Sequence, residues 1–207
     1  ERIDCSSQHK MLCLEILGDY ATKSCKPMRS IAAAVRCLTK AINSSVSPKF
    51  TLLAEDTLLS VAKTSINAND VQALVHGCAD KSPEARKTCL EALSSLPNIH
   101  AITVEDMEAT DEILRDIAVR LFIAKHDSNE TFGEMASTAY ANAGVSFADE
   151  DDNQSPTVLL PFLSHECFAV REATAKAFAT AVEQLPTGVA SVLAKLFALL
   201  ASCTDAS

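Results

Sequence analysis

Asp80-Lys81-Ser82-Pro83-Glu84-Ala85-Arg86, followed by Leu90 and Ala92-Leu93, decides how the chain is read, because it recurs. The same outline returns at His165-Glu166-Cys167-Phe168-Ala169-Val170-Arg171, followed by Ala175 and Ala177-Phe178, and a weaker copy runs from Asp127 to Gly133. In each copy a turn leads into apolar residues at helical spacing, so each marks the middle of a helix pair. The copies start 47 and then 38 residues apart. A single pair cannot bury its apolar side alone, and a period of about 40 residues therefore implies pairs stacked on one another.

Punctuation outside the repeat agrees. Ser47-Pro48, Ser82-Pro83 and Ser155-Pro156 each offer a capping hydroxyl followed by a proline suited to the first helical position, whereas Leu96-Pro97 and Leu185-Pro186 mark helix ends. Within Arg29 to Ile42, Ile31, Val35, Leu38 and Ile42 share one face while Arg29, Arg36 and Lys40 line up opposite. No strand-like alternation is evident. The spacing predicts helix pairs at 27–43/48–66, 70–79/82–96, 110–126/128–143 and 156–164/166–184, with single helices near 8–22 and 187–203 read as halves of further repeats. The expected fold is all-α: ten helices in a HEAT-type α-solenoid, antiparallel pairs stacked as a curved ribbon over 1–207. The approximate repeats are 1–22 (partial), 27–66, 70–96, 110–143, 156–184 and 187–203 (partial). The chain reads as an excerpt of a longer array, because complete solenoids end in polar capping repeats.

Composition suits this fold. The chain is 48% hydrophobic with no Trp, 5% aromatic residues and only 5 Gly, which favours closely packed helices over sheets. The charge is uneven: residues 1 to 63 hold nine Lys/Arg against six Asp/Glu, and the remainder nine against twenty-one. The 8 Cys form no CxxC pair and read as reduced core thiols of a cytoplasmic protein. The most apolar stretch, Gly188 to Ala201, carries Lys195 and is too short to span a bilayer.

Five segments carry a resemblance to a known family: Leu114-Arg115-Asp116; Phe122 to Asp127; Asn129 to Ala136; Leu159 to Glu166; and Ala169 to Thr174. Their order and spacing resemble the HEAT-repeat general-control translational activator, just before its elongation-factor-3-like region. The resemblance implies a non-catalytic scaffold that engages ribosomes and promotes activation of the stress kinase phosphorylating initiation factor 2 alpha. It supplies no kinase-binding residue, and Gly133 stands where the repeat usually has Arg. A HEAT adaptor of another process, such as transport or phosphatase regulation, is the alternative reading.

Candidate sites are few. Arg29, Arg36 and Lys40, extended by Lys23, Lys26 and Lys49, form the candidate contact for ribosomal RNA, since they belong to the net-positive stretch and phosphate attracts such a stripe. Arg86 and Arg171 read as structural inter-repeat residues, with Asp80 as a partner for Arg86. Cys5, His9 and Cys13 lie at i, i+4 and i+8, which places the outer two about 12 Å apart along a helix, too far to share a zinc ion; they are expected in the core with Leu12, Ile16 and Tyr20. Asp149 to Asn153 imitates a calcium loop but has Gln154 and Leu160 where Gly and Glu are required. His76, His100, His126 and His165 have no recognisable catalytic companions. No Walker loop, GxSxG, HExxH or dinucleotide motif occurs, so no enzyme activity, cofactor or small-molecule substrate is expected, and the partners are other macromolecules.

Overall fold

The computed structural model describes residues 7–23, 31–44, 47–64, 67–96, 99–104, 110–147, 156–184 and 193–197. These are helical, with no strand among them: α1 (Ser7–Lys23), α2 (Ala32–Ile42), α3 (Pro48–Ala62), α4 (Ala68–Gly77), α5 (Pro83–Ser94), α6 (Ile99–Val104), α7 (Asp111–Ala124), α8 (Glu130–Ala143), a 3-10 segment (Pro156–Ser164) and α9 (Phe168–Gln184). Residues 193–197, inside the last expected helix, are also helical.

Local chemistry explains the starts. Ser47 and Ser82 hydroxyls accept the amides of Phe50 and Ala85 at 3.2 Å, with Pro48 and Pro83 opening the helices behind them. Asn67, Thr110 and Asn129 cap α4, α7 and α8 in the same way. Ser155 lies outside the described residues, and the segment that follows it is not an α-helix. Pro161 has no amide to give to an α ladder, and Pro156–Ser164 winds as 3-10 instead.

Packing sorts the helices into two layers. In one, α2, α4 and α7 lie side by side; in the other, α1, α3, α5 and α8 do; α2 pairs with α3, α4 with α5 and α7 with α8. This is the HEAT-type α-solenoid arrangement. One continuous core runs between the layers from Leu14 through Val35, Leu58, Leu74 and Leu93 to Leu121 and Ala139. The short helix α6, not anticipated from the sequence, packs on α8 and α4.

The last unit departs from the pattern. Expected as a regular pair, the 3-10 segment instead packs on α9, and α9 lies against α7, continuing the first layer. A second core forms there from Val119, Phe122, Ile123, Phe147, Leu159, Ala173, Ala177 and Ala181. Phe122 and Phe147 stack with ring centres 4.3 Å apart, and the Tyr140 hydroxyl accepts the Phe147 amide at 2.7 Å. The bond ties the segment after α8 back onto α8 itself, and the ring stack ties it to α7. Gly144 makes the turn possible, with φ +64° and His100 lying where its side chain would be.

The expectation of a core face on α1 is corrected. Leu14 is buried against α3, but Leu12, Ile16 and Tyr20 are 52%, 61% and 49% exposed, and His9 and Cys13 also face solvent. Cys5 is outside the described residues. The core-thiol reading likewise holds for Cys78, Cys89 and Cys167 but not for Cys13 and Cys37, which are exposed.

Candidate functional site

The structure describes part of the basic row. Arg29 and Lys26 lie outside the described residues; Arg36 and Lys40 are exposed on α2, opposite buried Val35, Leu38 and Ile42. Lys49 is exposed at the first turn of α3, whereas Lys23 is engaged by Asp19 at 2.8 Å. The row does not stand alone. Arg36 edges a shallow groove between α2 and α4 whose other wall carries Asn69, Gln72 and His76.

That groove leads to a polar cluster the sequence reading missed. Asp116 on α7 accepts His76 Nε2 at 2.7 Å and Gln72 Nε2 at 2.9 Å on one carboxylate oxygen, and Arg120 Nε at 2.7 Å on the other. Burial would raise the Asp116 carboxyl, but the hydrogen bonds from His76 and Arg120 and the guanidinium charge prevail and hold it far below the usual carboxylate range. Arg120 also lies over the Phe162 ring, 5.0 Å from its centre. The first layer therefore shows solvent a polar seam running from Arg36 on α2, across α4, to Arg120 on α7. A signal was present: Gln72/His76 and Asp116/Arg120 are both i,i+4 pairs. What the sequence could not supply was that the two pairs face each other.

Arg86 and Arg171 have matching environments. Arg86 Nη1 donates to the carbonyls of Asp80 and Lys81, six and five residues back, at 3.1 and 3.3 Å. Arg171 Nη1 donates to those of His165 and Glu166, again six and five back, at 2.7 and 3.1 Å. Each arginine thus closes the turn before its own helix. The Asp80 carboxylate, expected on Arg86, instead accepts the Asn43 side-chain amide at 2.7 Å and the Ser82 amide at 3.0 Å. It thereby links neighbouring turns while Arg86 takes the main-chain oxygen. Arg86 is only 7% exposed, sits 5.8 Å from the Phe132 ring centre and reaches Cys167 Sγ at 3.6 Å. At Gly133, the third copy, a side chain would begin 3.1 Å from the Lys125 carbonyl oxygen, a close approach that an arginine there would meet only with a small shift of the turn.

A further polar residue went unread. Asp70, fully buried on α4, accepts the amides of Ile31 and Ala32 at 2.9 and 3.2 Å and so caps α2 from the next repeat. From sequence it reads only as the third residue after the Asn67 cap.

Among the described residues no group of His, Cys, Asp and Glu is placed to hold a metal ion, and residues 149–153 lie outside them. His165 Nδ1 accepts the Cys167 amide at 3.1 Å. Burial, with the Lys125 and Lys176 charges, lowers the His126 imidazole from its ordinary value, and the ring packs edge-on to Phe122. Burial pushes the Cys89 thiol up to about 12 and the Cys78 thiol well up, so neither is a nucleophile at neutral pH. No described helix is long and apolar enough to cross a membrane.

Residues 107–206 match the HEAT repeats of the stalled ribosome sensor GCN1. The GCN1-type match covers α7, α8, the 3-10 segment and α9, and supports the family resemblance read from Leu114 to Thr174. The Arabidopsis thaliana protein ILITYHIA is 27% identical over 134 residues, 65% of this chain but 4% of that protein's length. No solved structure gives a significant match.

Proposed function

We propose that the chain is a scaffold segment of a ribosome-engaging HEAT array, without catalysis of its own, working in the cytoplasm. The observation that carries this is the match of residues 107–206 to repeats of a stalled ribosome sensor; the two-layer fold is consistent with it. In the finer reading, the segment lies just before an elongation-factor-3-like region of a much longer protein. That protein promotes activation of the kinase acting on initiation factor 2 alpha, and this segment contributes rigid length and a ribosome contact. Arg29, Arg36 and Lys40 are the proposed contact with ribosomal RNA, Arg36 and Lys40 being exposed cations on α2 and Arg36 lying at the edge of the groove with α4.

Replacing Arg29, Arg36 and Lys40 together with Glu tests the contact. Co-sedimentation with ribosomes at low salt falls in the variant while its helical circular dichroism is retained, and added salt narrows the gap. Equal co-sedimentation of both proteins at low salt removes the RNA contact. Failure of the unaltered protein to co-sediment at all, with capture instead by a transport or phosphatase complex, replaces the ribosome reading with the adaptor alternative.

A further inference from the structure

Helices α3, α4, α5, α7 and α8 begin on an oxygen, whereas α9 begins on a sulfur. Side-chain oxygens of Ser47, Asn67, Ser82, Thr110 and Asn129 each accept the amide three residues further on. Cys167 holds the matching place at α9: its carbonyl accepts the Arg171 amide at 3.2 Å, as the Ser82 carbonyl accepts the Arg86 amide at 3.0 Å. The two copies of the repeat thus set Cys167 against Ser82. A thiol sulfur is a weak acceptor, so it gives the first turn of α9 less than the Ser82 hydroxyl gives α5.

Arg86 reaches this sulfur from α5, its Nη1 donating to Cys167 Sγ at 3.6 Å, and the arginine is more than nine-tenths buried. Nη1 also serves the Asp80 and Lys81 carbonyls, but the Nε–H is buried with no partner among the described residues. A buried guanidinium with a donor to spare is an unfilled place for an acceptor oxygen or an anion. The other buried thiols have the reverse surroundings. Cys78 Sγ donates to the Leu74 carbonyl at 3.4 Å, and Cys89 Sγ is packed against Gly77. An oxygen added to either would meet an acceptor or a filled space, whereas one added to Cys167 would meet donors.

We propose that Cys167 is a site of reversible oxidation by hydrogen peroxide, its sulfenic acid being held by Arg86 and by the first turn of α9. The sulfur attacks one peroxide oxygen; the S–O bond forms as the O–O bond breaks, the sulfur loses two electrons, and the departing hydroxide leaves as water with the thiol proton. Cys167 lies at the start of its helix, where local opening admits a molecule as small as peroxide. The new oxygen gives α9 the acceptor that Ser82 gives α5, and in its ionised form it gives Arg86 an anion. Because Arg86 belongs to α5 and Cys167 to α9, oxidation tightens the joint between the regular layers and the last unit, and a thiol reductant restores the original state. The inference stands on this joint and not on the ribosome reading.

The test compares thiols within one molecule. The protein receives a pulse of hydrogen peroxide, is quenched with catalase and is unfolded in a cyclic 1,3-dione, which traps sulfenic acids for peptide mass analysis. Adduct at Cys167 is expected to exceed that at Cys78 and Cys89, whose thiols burial raises, by at least about tenfold, with exposed Cys13 and Cys37 as internal standards. Oxidation is expected to raise the melting temperature by about 2–4 °C, the shift that one capping bond gives in a chain of this size, and dithiothreitol to reverse it. Cys167→Ser, which supplies the oxygen without oxidation, is expected to melt above the reduced protein and not to respond to peroxide. Arg86→Lys keeps a charge but loses the planar fork, and is expected to cut the Cys167 adduct roughly threefold while sparing Cys13 and Cys37. Adduct at Cys167 no greater than at Cys78 and Cys89 overturns the proposal. So does a melting temperature that falls on oxidation of Cys167, or a Cys167 adduct that Arg86→Lys leaves unchanged.

Discussion

Helices α1 to α8 and the unit formed by the 3-10 segment and α9 use the same apolar vocabulary but are held in different ways. The first region shares one core between two layers, and each helix added extends it. The second has its own eight-residue core on the opposite side of α7, lined by small Ala173, Ala177 and Ala181 and filled by the Phe122–Phe147 stack. Polar links reach across to it: Lys81 to Glu166 at 2.7 Å, Arg86 to Cys167 at 3.6 Å and Lys176 to Ser128 at 2.8 Å. A repeat array thus tolerates an irregular unit when one helix, here α7, carries an apolar row on both sides.

The sharpest way to break this comparison is to empty the second core alone. Phe147→Ala removes the stacked ring and should cost about 3–5 kcal/mol. Hydrogen exchange should then show α9 and the end of α7 opening while amides in α3 to α5 keep their protection. Uniform loss across the chain would mean that the two cores form one cooperative unit.

Smaller effects come from the matched arginines. Arg86→Ala should destabilise by about 1–3 kcal/mol, because its guanidinium is buried and its removal orphans the Asp80 and Lys81 carbonyls. Arg171→Ala, at a half-buried site, should fall in the lower half of that range. Chemical denaturation of the two variants decides it, and a larger loss for Arg171 would reverse the ranking that burial predicts.

Asp116 sharpens the comparison through pH. Its carboxyl is held low in the folded protein, so the unfolded chain takes up the proton first on acidification. Its contribution is whole above the unfolded value of about 3.9 and is lost as pH falls through the folded one. Melting temperatures between pH 7 and 2 should decline more steeply for the wild type than for Asp116→Asn, which is less stable at neutral pH and insensitive through this group. Lys81→Ala should have the smallest effect. Its ion pair with Glu166 is exposed at both ends, and thermal melting should not detect its loss.

Much of the helix pattern was legible because caps are local. Ser47-Pro48 and Ser82-Pro83 announce helices whose first turns the structure reproduces, and the self-similarity of residues 80–86 and 165–171 reappears as two guanidinium groups closing turns with the same offsets. Less was legible wherever the answer depended on a neighbour. Periodicity revealed the apolar row of Leu12, Ile16 and Tyr20 but not whether anything covers it. Likewise, the i,i+4 pairs of α4 and α7 gave no hint that His76 and Asp116 meet, and Asp70 looked like part of its own helix start. The basic row of α2 was visible as a face, and its groove with α4 was not. Pro161 was on the page too, but an apolar run around it reads as α-helix unless its missing amide is weighed.

The capping of α2 by Asp70 bears on how such a chain acquires its shape during synthesis. The amides of Ile31 and Ala32 find their acceptor 39 and 38 residues further along, so the start of α2 emerges from the ribosome with an acceptor still untranslated. At roughly 5–20 residues per second the wait is about 2–8 s, during which water must serve those amides. Each arriving pair would then complete its predecessor, a ratchet in the order of translation, and a pause just upstream of Asp70 would leave the earlier helix frayed at its start until elongation resumes.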